Sequence, residues 1–137
     1  MKITIHRGTH QIGGCATEIC TAKTRIFVDF GSALDGSAGI QIEGLNTGKA
    51  TCDGVLLTHY HGDHVGEINT ILPGIPLYCG ETARLIMQKL NSRTKQIDGD
   101  VLLNMNTFTQ GQSFRIGDIK ITPYSVDHSA YDSYMFL

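Results

Sequence analysis

The sequence predicts an α/β fold, a mixed sheet layered with two helices, and three features of its apolar pattern carry that expectation. Short extended segments recur along the chain, two stretches space apolar residues as a helix does, and strands and helices follow one another in a non-strict order. With 137 residues, 41% hydrophobic and 18% charged, the chain is large enough for one domain and its core, and residues 1–137 read as a single unit. Three prolines and no low-complexity tract argue against disorder. No apolar run approaches the ~20 residues of a membrane span, so no membrane contact is expected.

Ile3 and Ile5 alternate with polar neighbours, residues 16–21 form a second extended segment, and residues 26–30 form a third that stops at Gly31. Together they predict an antiparallel meander. Residues 31–53 carry Gly, Ser, Asn and Thr without a sustained period, which predicts a long functional loop beside the site. Val55-Leu56-Leu57 is a continuous apolar run, the pattern of a strand covered on both faces, and it leads directly into Thr58-His59-Tyr60-His61-Gly62-Asp63-His64. Val65, Ile68 and Leu72 then fall on one helical face ending before Pro73, with Asp63 placed to cap it. Residues 76–79 are short and extended. Ala83, Ile86, Met87 and Leu90 mark a second helix, whose other face carries Arg84 and Lys89. Residues 112–116 and 119–126 alternate around Gly117-Asp118 as a hairpin, and its second arm runs into Asp127-His128-Ser129.

A net charge of −2, from 11 Lys plus Arg and 13 Asp plus Glu, supplies no global basic field for a nucleic-acid backbone. Arg84, Lys89, Arg93 and Lys95 read as an exposed, solvated face rather than a nucleic-acid site. The four cysteines, Cys15, Cys20, Cys52 and Cys79, show no C-x-x-C pairing and read as buried free thiols. An alternating strand stands at the N-terminus where a secretory signal would show a long apolar stretch, so a cytoplasmic location is expected.

The strongest chemical signal is His59-x-His61-x-Asp63-His64, four metal-ligating side chains within six residues of a chain that has 6 histidines in all. Histidines at i and i+2 of an extended segment can project to one side and hold one metal ion, and neutral imidazole is a common zinc ligand. Asp63 and His64 lie past a glycine, where the chain turns toward a helix, and can face a second position, which suggests a dinuclear site. His128 follows its strand as His59 follows its own, and is a further candidate ligand. Asp29, an acid in an apolar segment, needs a partner, and a hydrogen bond to a ligand histidine would supply one. His6 and His10 lack partner spacing.

With these residues in place, the sequence resembles the metallo-β-lactamase superfamily, whose H-x-H-x-D-H motif stands here as His59, His61, Asp63 and His64. Val28-Asp29-Phe30-Gly31 resembles the family's strand-end Asp, residues 13–18 its first hairpin, and Val126-Asp127-His128-Ser129 its third metal-binding segment. Lactamase-like and thioesterase-like members tend to carry a Gly-His-Thr-type segment at that third position. Asp-His-Ser followed by Asp132-Ser133 is similar instead to ribonuclease J and its β-CASP relatives. The resemblance implies an αββα sandwich with metals at the sheet edge, of which this chain is expected to be about the first half, truncated at its C-terminus. A later bridging Asp and a later His of the family have no counterpart here.

The resulting expectation is a zinc-dependent hydrolase that binds one or two Zn²⁺. His59, His61 and His128 hold one ion, Asp63 and His64 form half of a second site, and metal-bound hydroxide attacks the substrate. Asp63 is the catalytic candidate, orienting that hydroxide, and Ser129 is a candidate contact for a substrate phosphate. The resemblance points to a phosphodiester or nucleic-acid substrate. A carboxylic ester, thioester or lactam stays open, as does a catalytically inactive metal-binding fragment. Apolar residues near the C-terminus, 134–137, predict self-association through an exposed sheet.

Overall fold

A computed structural model describes residues 1–137. Ten strands and three helices follow one another along the chain: β1 (Lys2–Arg7), β2 (Ala16–Cys20), β3 (Arg25–Val28), β4 (Gly54–Leu56), α1 (Gly62–Val65), β5 (Leu77–Gly80), α2 (Glu81–Thr94), α3 (Gly99–Asn104), β6 (Asn106–Phe108), β7 (Phe114–Ile116), β8 (Ile119–Ile121), β9 (Pro123–Ser125) and β10 (Tyr134–Phe136). The first six strands make one sheet in sequence order, β1 to β6. β1, β2 and β3 pair antiparallel, as the meander predicts, and β3 through β6 run parallel.

This is the expected mixed α/β sheet, and its two faces are covered differently. One face carries Phe27, Val55, Leu57, Leu77 and Cys79 into a core shared with Val65, Ile68, Met87 and Leu102. The other carries Ile26 and Leu56 against Ile116 and Ile121 of the β7–β8 hairpin, with Phe136 of β10 packed alongside. β4 is buried at all three positions because it lies between parallel neighbours, with both faces and both edges occupied. The small β7–β8 and β9–β10 ladders form the start of a second layer.

Several expectations need correction. The helix predicted through Leu72 closes after one turn at Val65, followed by a 3-10 turn at Ile68–Thr70. The carbonyls of Asp63 and His64, which would continue it, accept instead from the amides of Cys15 and Phe30 at 3.0 and 2.9 Å. Tertiary hydrogen bonds therefore end a helix that the apolar period would extend. Asp63 does not cap it; His61 holds the N-cap position and Asp63 sits in the first turn. In α2, Ala83 and Met87 are buried but Leu90 is 53% exposed, because α3 covers only part of that face. Arg84 is drawn inward and donates to the Met105 carbonyl at 3.0 Å.

The loop 31–53 borders the site only at its start. Since β3 and β4 are parallel, the loop must return along the sheet, and Glu43 near its far end accepts from Arg25 at the opposite end of β3. α3 and β6 escape the sequence reading because each is shorter than its pattern needs in order to show. All four cysteines are free, but Cys15 and Cys20 are only half-buried.

Candidate metal centre

The C-terminal ends of the parallel strands bring the site together. β3 ends at Val28, and Asp29 turns the chain with φ 61°, a left-handed conformation that Asp tolerates better than most residues. Its carboxylate is buried and fully used. Oδ1 accepts from the Thr58 amide at 2.8 Å, and Oδ2 accepts from the Thr58 hydroxyl at 2.8 Å and from His64 Nδ1 at 2.7 Å. With Nδ1–H committed to Asp29, the neutral His64 ring keeps its Nε2 lone pair free for a ligand. Burial opposes the charged form of His64, but the hydrogen bond and charge of Asp29 outweigh it and raise the pKa.

β4 runs into Thr58 and then His59, whose ring is buried. The Thr58 hydroxyl lies 3.0 Å from His59 Nδ1, so one residue links Asp29, His59 and His64. His59 Nε2 lies 3.1 Å from Nε2 of His128, which comes from the exposed loop between β9 and β10. Its ring centroid is 4.8 Å from that of His61 and 3.9 Å from that of His64. Burial, then the neighbouring imidazoles of His64, His128 and His61, push the pKa of His59 down to about 4. The buried ring is thus held neutral, with its lone pair available.

Two groups of three side chains place their ligand atoms within 4.8 Å of one another: His59, His61 and His128, and His59, Asp63 and His64. All five candidate ligands are therefore gathered at one point, with His59 common to both groups. Nitrogen donors with one carboxylate are a donor set suited to zinc among divalent ions, so the residues present fit a bound metal. Asp29 lies behind His64, in contact with its Nδ1. Ser129 is exposed beside His128 and belongs to neither group.

The His128 loop is held by a different set of contacts. The amide of Tyr134 donates to the Thr58 carbonyl at 2.9 Å, and the Asp132 carboxylate accepts from the Ala83 amide at the start of α2 and from the Tyr134 hydroxyl, at 2.8 and 2.6 Å. The Tyr131 amide donates to the Tyr60 hydroxyl at 3.2 Å. The sequence reading assigned no role to Thr58 or Tyr60, and it quoted Asp132 only within the segment after His128. A hydroxyl ending an apolar run is the signal that Thr58 offered; Tyr60 and Asp132 meet Tyr131 and Ala83 across 71 and 49 positions.

The class is an α/β sheet protein in which the ends of the parallel strands and the β9–β10 loop gather four histidines and two aspartates, two groups of which could hold a metal ion. The chain belongs to the beta-lactamase superfamily: the family model described as "Beta-lactamase superfamily domain" matches residues 33–135. Among curated proteins it is 34% identical over 97 residues to the atrochrysone carboxyl ACP thioesterase nsrC of Aspergillus novofumigatus (strain IBT 16806), a match covering 69% of this chain and 29% of that protein.

Among solved structures it superposes with a TM-score of 0.79 on a protein of unknown function from Enterococcus faecalis V583, at 22% identity, covering 98% of this chain and 39% of that one. MEM-A1, a subclass B3 metallo-beta-lactamase from a soil metagenome library, gives 0.64 at 16% identity, covering 90% of this chain and 50% of that one. A diphosphatase from the PhnP family gives 0.59 at 16% identity, covering 90% and 48%. The fold is thus a partial metallo-β-lactamase fold, and the chain spans less than a third of the curated relative and about two fifths to one half of these solved structures. No helix is long and apolar enough to cross a membrane.

Proposed function

We propose that this chain carries the metal-binding half of a zinc-dependent phosphodiester hydrolase. The observation behind the proposal is the convergence of His59, His61 and His128 from two separate strand ends, with Asp63 and His64 beside them and His59 shared. His59, His61 and His128 would hold one zinc ion, and Asp63 and His64 would contribute to a second position. Zinc in such a site lowers the pKa of water toward neutrality and polarises the bond to be cleaved. The chain's own residues do the rest. Asp29 and Thr58 fix the orientation of the His64 ring, burial keeps His59 unprotonated, and Asp63 would orient the attacking hydroxide.

The Asp127-His128-Ser129 segment, similar to that of ribonuclease J, supports a phosphodiester substrate, and its exposed Ser129 hydroxyl is available to a phosphate oxygen. The structural likeness to a diphosphatase is consistent with phosphoryl chemistry. A nucleic acid is one such substrate. The second reading, thioester hydrolysis, is favoured by the 34% identity to a thioesterase. The test uses zinc-loaded protein with bis(4-nitrophenyl) phosphate and with an acyl thioester. Faster turnover of the diester supports the first reading; turnover of the thioester alone overturns it in favour of the second.

Because both groups draw on His59, metal analysis after dialysis against a weak chelator is expected to find nearer one zinc per chain than two. The four free thiols favour a reducing, cytoplasmic setting. We also propose self-association through the exposed sheet at the C-terminal strand, where Met135 and Leu137 are 57% and 81% exposed. Sedimentation across a concentration series tests it, and a monomer at all concentrations rejects it.

A further inference from the structure

The segment that carries Asp63 and His64 is docked to the rest of the molecule by the Val65 and His64 side chains and, along its length, by its backbone. The Gly62 carbonyl accepts from the Ser32 amide at 2.9 Å, the Asp63 carbonyl from Cys15 at 3.0 Å, and the His64 carbonyl from Phe30 at 2.9 Å. In return Glu67 donates its amide to the Phe30 carbonyl at 3.1 Å, and Gly31 donates to the Cys15 carbonyl at 3.0 Å. Two strips, residues 13–15 and 30–32, therefore form a rail on which the segment lies. The approach is close enough that a Cβ at Gly31 would overlap the Asp63 carbonyl. The two strips prolong the β2–β3 pair past its regular ladder, joined only by the Gly31–Cys15 bond and a bridge between Gly13 and Ala33, so a side chain that braces them adds to a sparse set of bonds.

That role falls to Arg7. Its side chain is 6% exposed, an unusual state for a guanidinium unless every donor direction is answered. Nε donates to the Gly14 carbonyl at 2.9 Å, Nη1 to the Ala38 carbonyl at 3.3 Å, and Nη2 both to the Gly31 carbonyl and to Glu67 Oε1, the latter at 2.7 Å. The four acceptors lie in the hairpin after β1, at two points of the long loop, and just past α1. Arg7 thus touches both strips of the rail and the far end of the segment lying on it. It touches none of the candidate ligands.

We propose that Arg7, paired with Glu67, is a positioning residue that presets Asp63 and His64 for metal by clamping the rail beneath them. The inference rests on the metal reading of the site above, and deepens it by assigning the ligand geometry to a buried ion pair outside the ligand set. A planar fork of five N–H donors can span several carbonyls at fixed angles, whereas a lysine ammonium is a point charge that can answer Glu67 but not Gly14, Gly31 and Ala38 together. Arg7→Lys should therefore preserve the charge pair and lose the clamp.

The experiment compares wild type, Arg7→Lys, Arg7→Met and, as a control, Leu102→Ala, a core change in α3 that lies outside the rail and its contacts. Amide hydrogen exchange of residues 62–66 is followed in the metal-free proteins, and zinc affinity is measured by competition with a chromophoric chelator. Arg7→Lys is expected to speed exchange in 62–66 at least tenfold more than in β4 and to weaken zinc binding tenfold or more, with Leu102→Ala showing neither effect. Equal protection and equal affinity in Arg7→Lys and wild type overturn the proposal. So does a uniform rise in exchange throughout the chain, which would make Arg7 a general stabiliser. Should the wild-type protein fail to bind zinc, the metal reading falls by itself, and faster exchange confined to 62–66 would still identify Arg7 as the clamp of that segment.

Discussion

The two sides of the histidine cluster are built on opposite plans. On one side Asp29, Thr58 and His64 form a largely buried set in which both Asp29 oxygens, the Thr58 amide and hydroxyl and His64 Nδ1 have short partners, lying over a backbone rail. On the other side His128 stands exposed on an eight-residue connection between two three-residue strands, tied down mainly through Asp132 and the Thr58 carbonyl. The buried side is preorganised before any ligand arrives, while the exposed side depends on a few contacts near the loop's end. Preorganisation lowers the ordering cost of binding, so the two sides should differ in how they respond to the same kind of damage.

His59 belongs to both sides, and its loss should have the largest effect. His59→Ala is expected to abolish zinc retained through dialysis, read by metal analysis, while His6→Ala leaves it unchanged. His128→Ala should follow, because it takes one of three imidazoles from the nitrogen-only group but leaves the His59, Asp63 and His64 group whole. Residual, weaker zinc binding in that variant would sharpen the contrast; complete loss would show that the buried side cannot hold metal alone.

Asp29→Asn removes the carboxylate that orients His64, and changes of this kind cost roughly 10–100-fold in metal affinity. Chelator competition measures it, and an unchanged affinity would mean that the buried side gains nothing from its preorganisation. A smaller effect is expected from Asp132→Asn. It weakens the bond to the α2 amide and the bond from Tyr134, a loss on the order of 1 kcal/mol. Thermal unfolding reads the stability, and proteolysis should then nick residues 126–133 before any other loop.

The smallest effect concerns acid. Burial acts to raise the pKa of Glu18, but hydrogen bonds from Arg25, Cys20 and His6 outweigh it and hold the carboxyl down to about 2. A carboxylate with a depressed native pKa contributes stability that is complete above its unfolded value, near 4.5, and is lost as pH falls toward 2. Glu18 lies in β2, which continues from the strip 13–15 and pairs with β1 and β3. Glu18→Gln should therefore flatten the stability curve of the metal-free protein between pH 4.5 and 2 without altering zinc affinity at neutral pH. A curve of unchanged slope would mean that Glu18 has the same partners in the unfolded chain.

The sequence by itself determined the meander, the doubly covered strand β4, the helix α2 and the β7–β8 hairpin, because in each the apolar period is set by nearest neighbours and by which face is wet. It also marked His59 to His64 as one chemical unit, since four such side chains in six residues stand out against any background. What it could not show is where the helix after His61 stops. The apolar period runs on to Leu72, and only the amides of Cys15 and Phe30, arriving from residues far upstream, take the carbonyls that would have continued it. The roles of Thr58, Arg7 and Asp132 were hidden for the same reason. Each is a polar residue with a deciding partner tens of positions away, Asp29, Glu67 and Ala83 in turn, and a hydrogen bond between remote segments leaves no periodicity in the chain that makes it. The tertiary structure alone decided that these residues would orient, dock and anchor the side chains that the local pattern had already singled out.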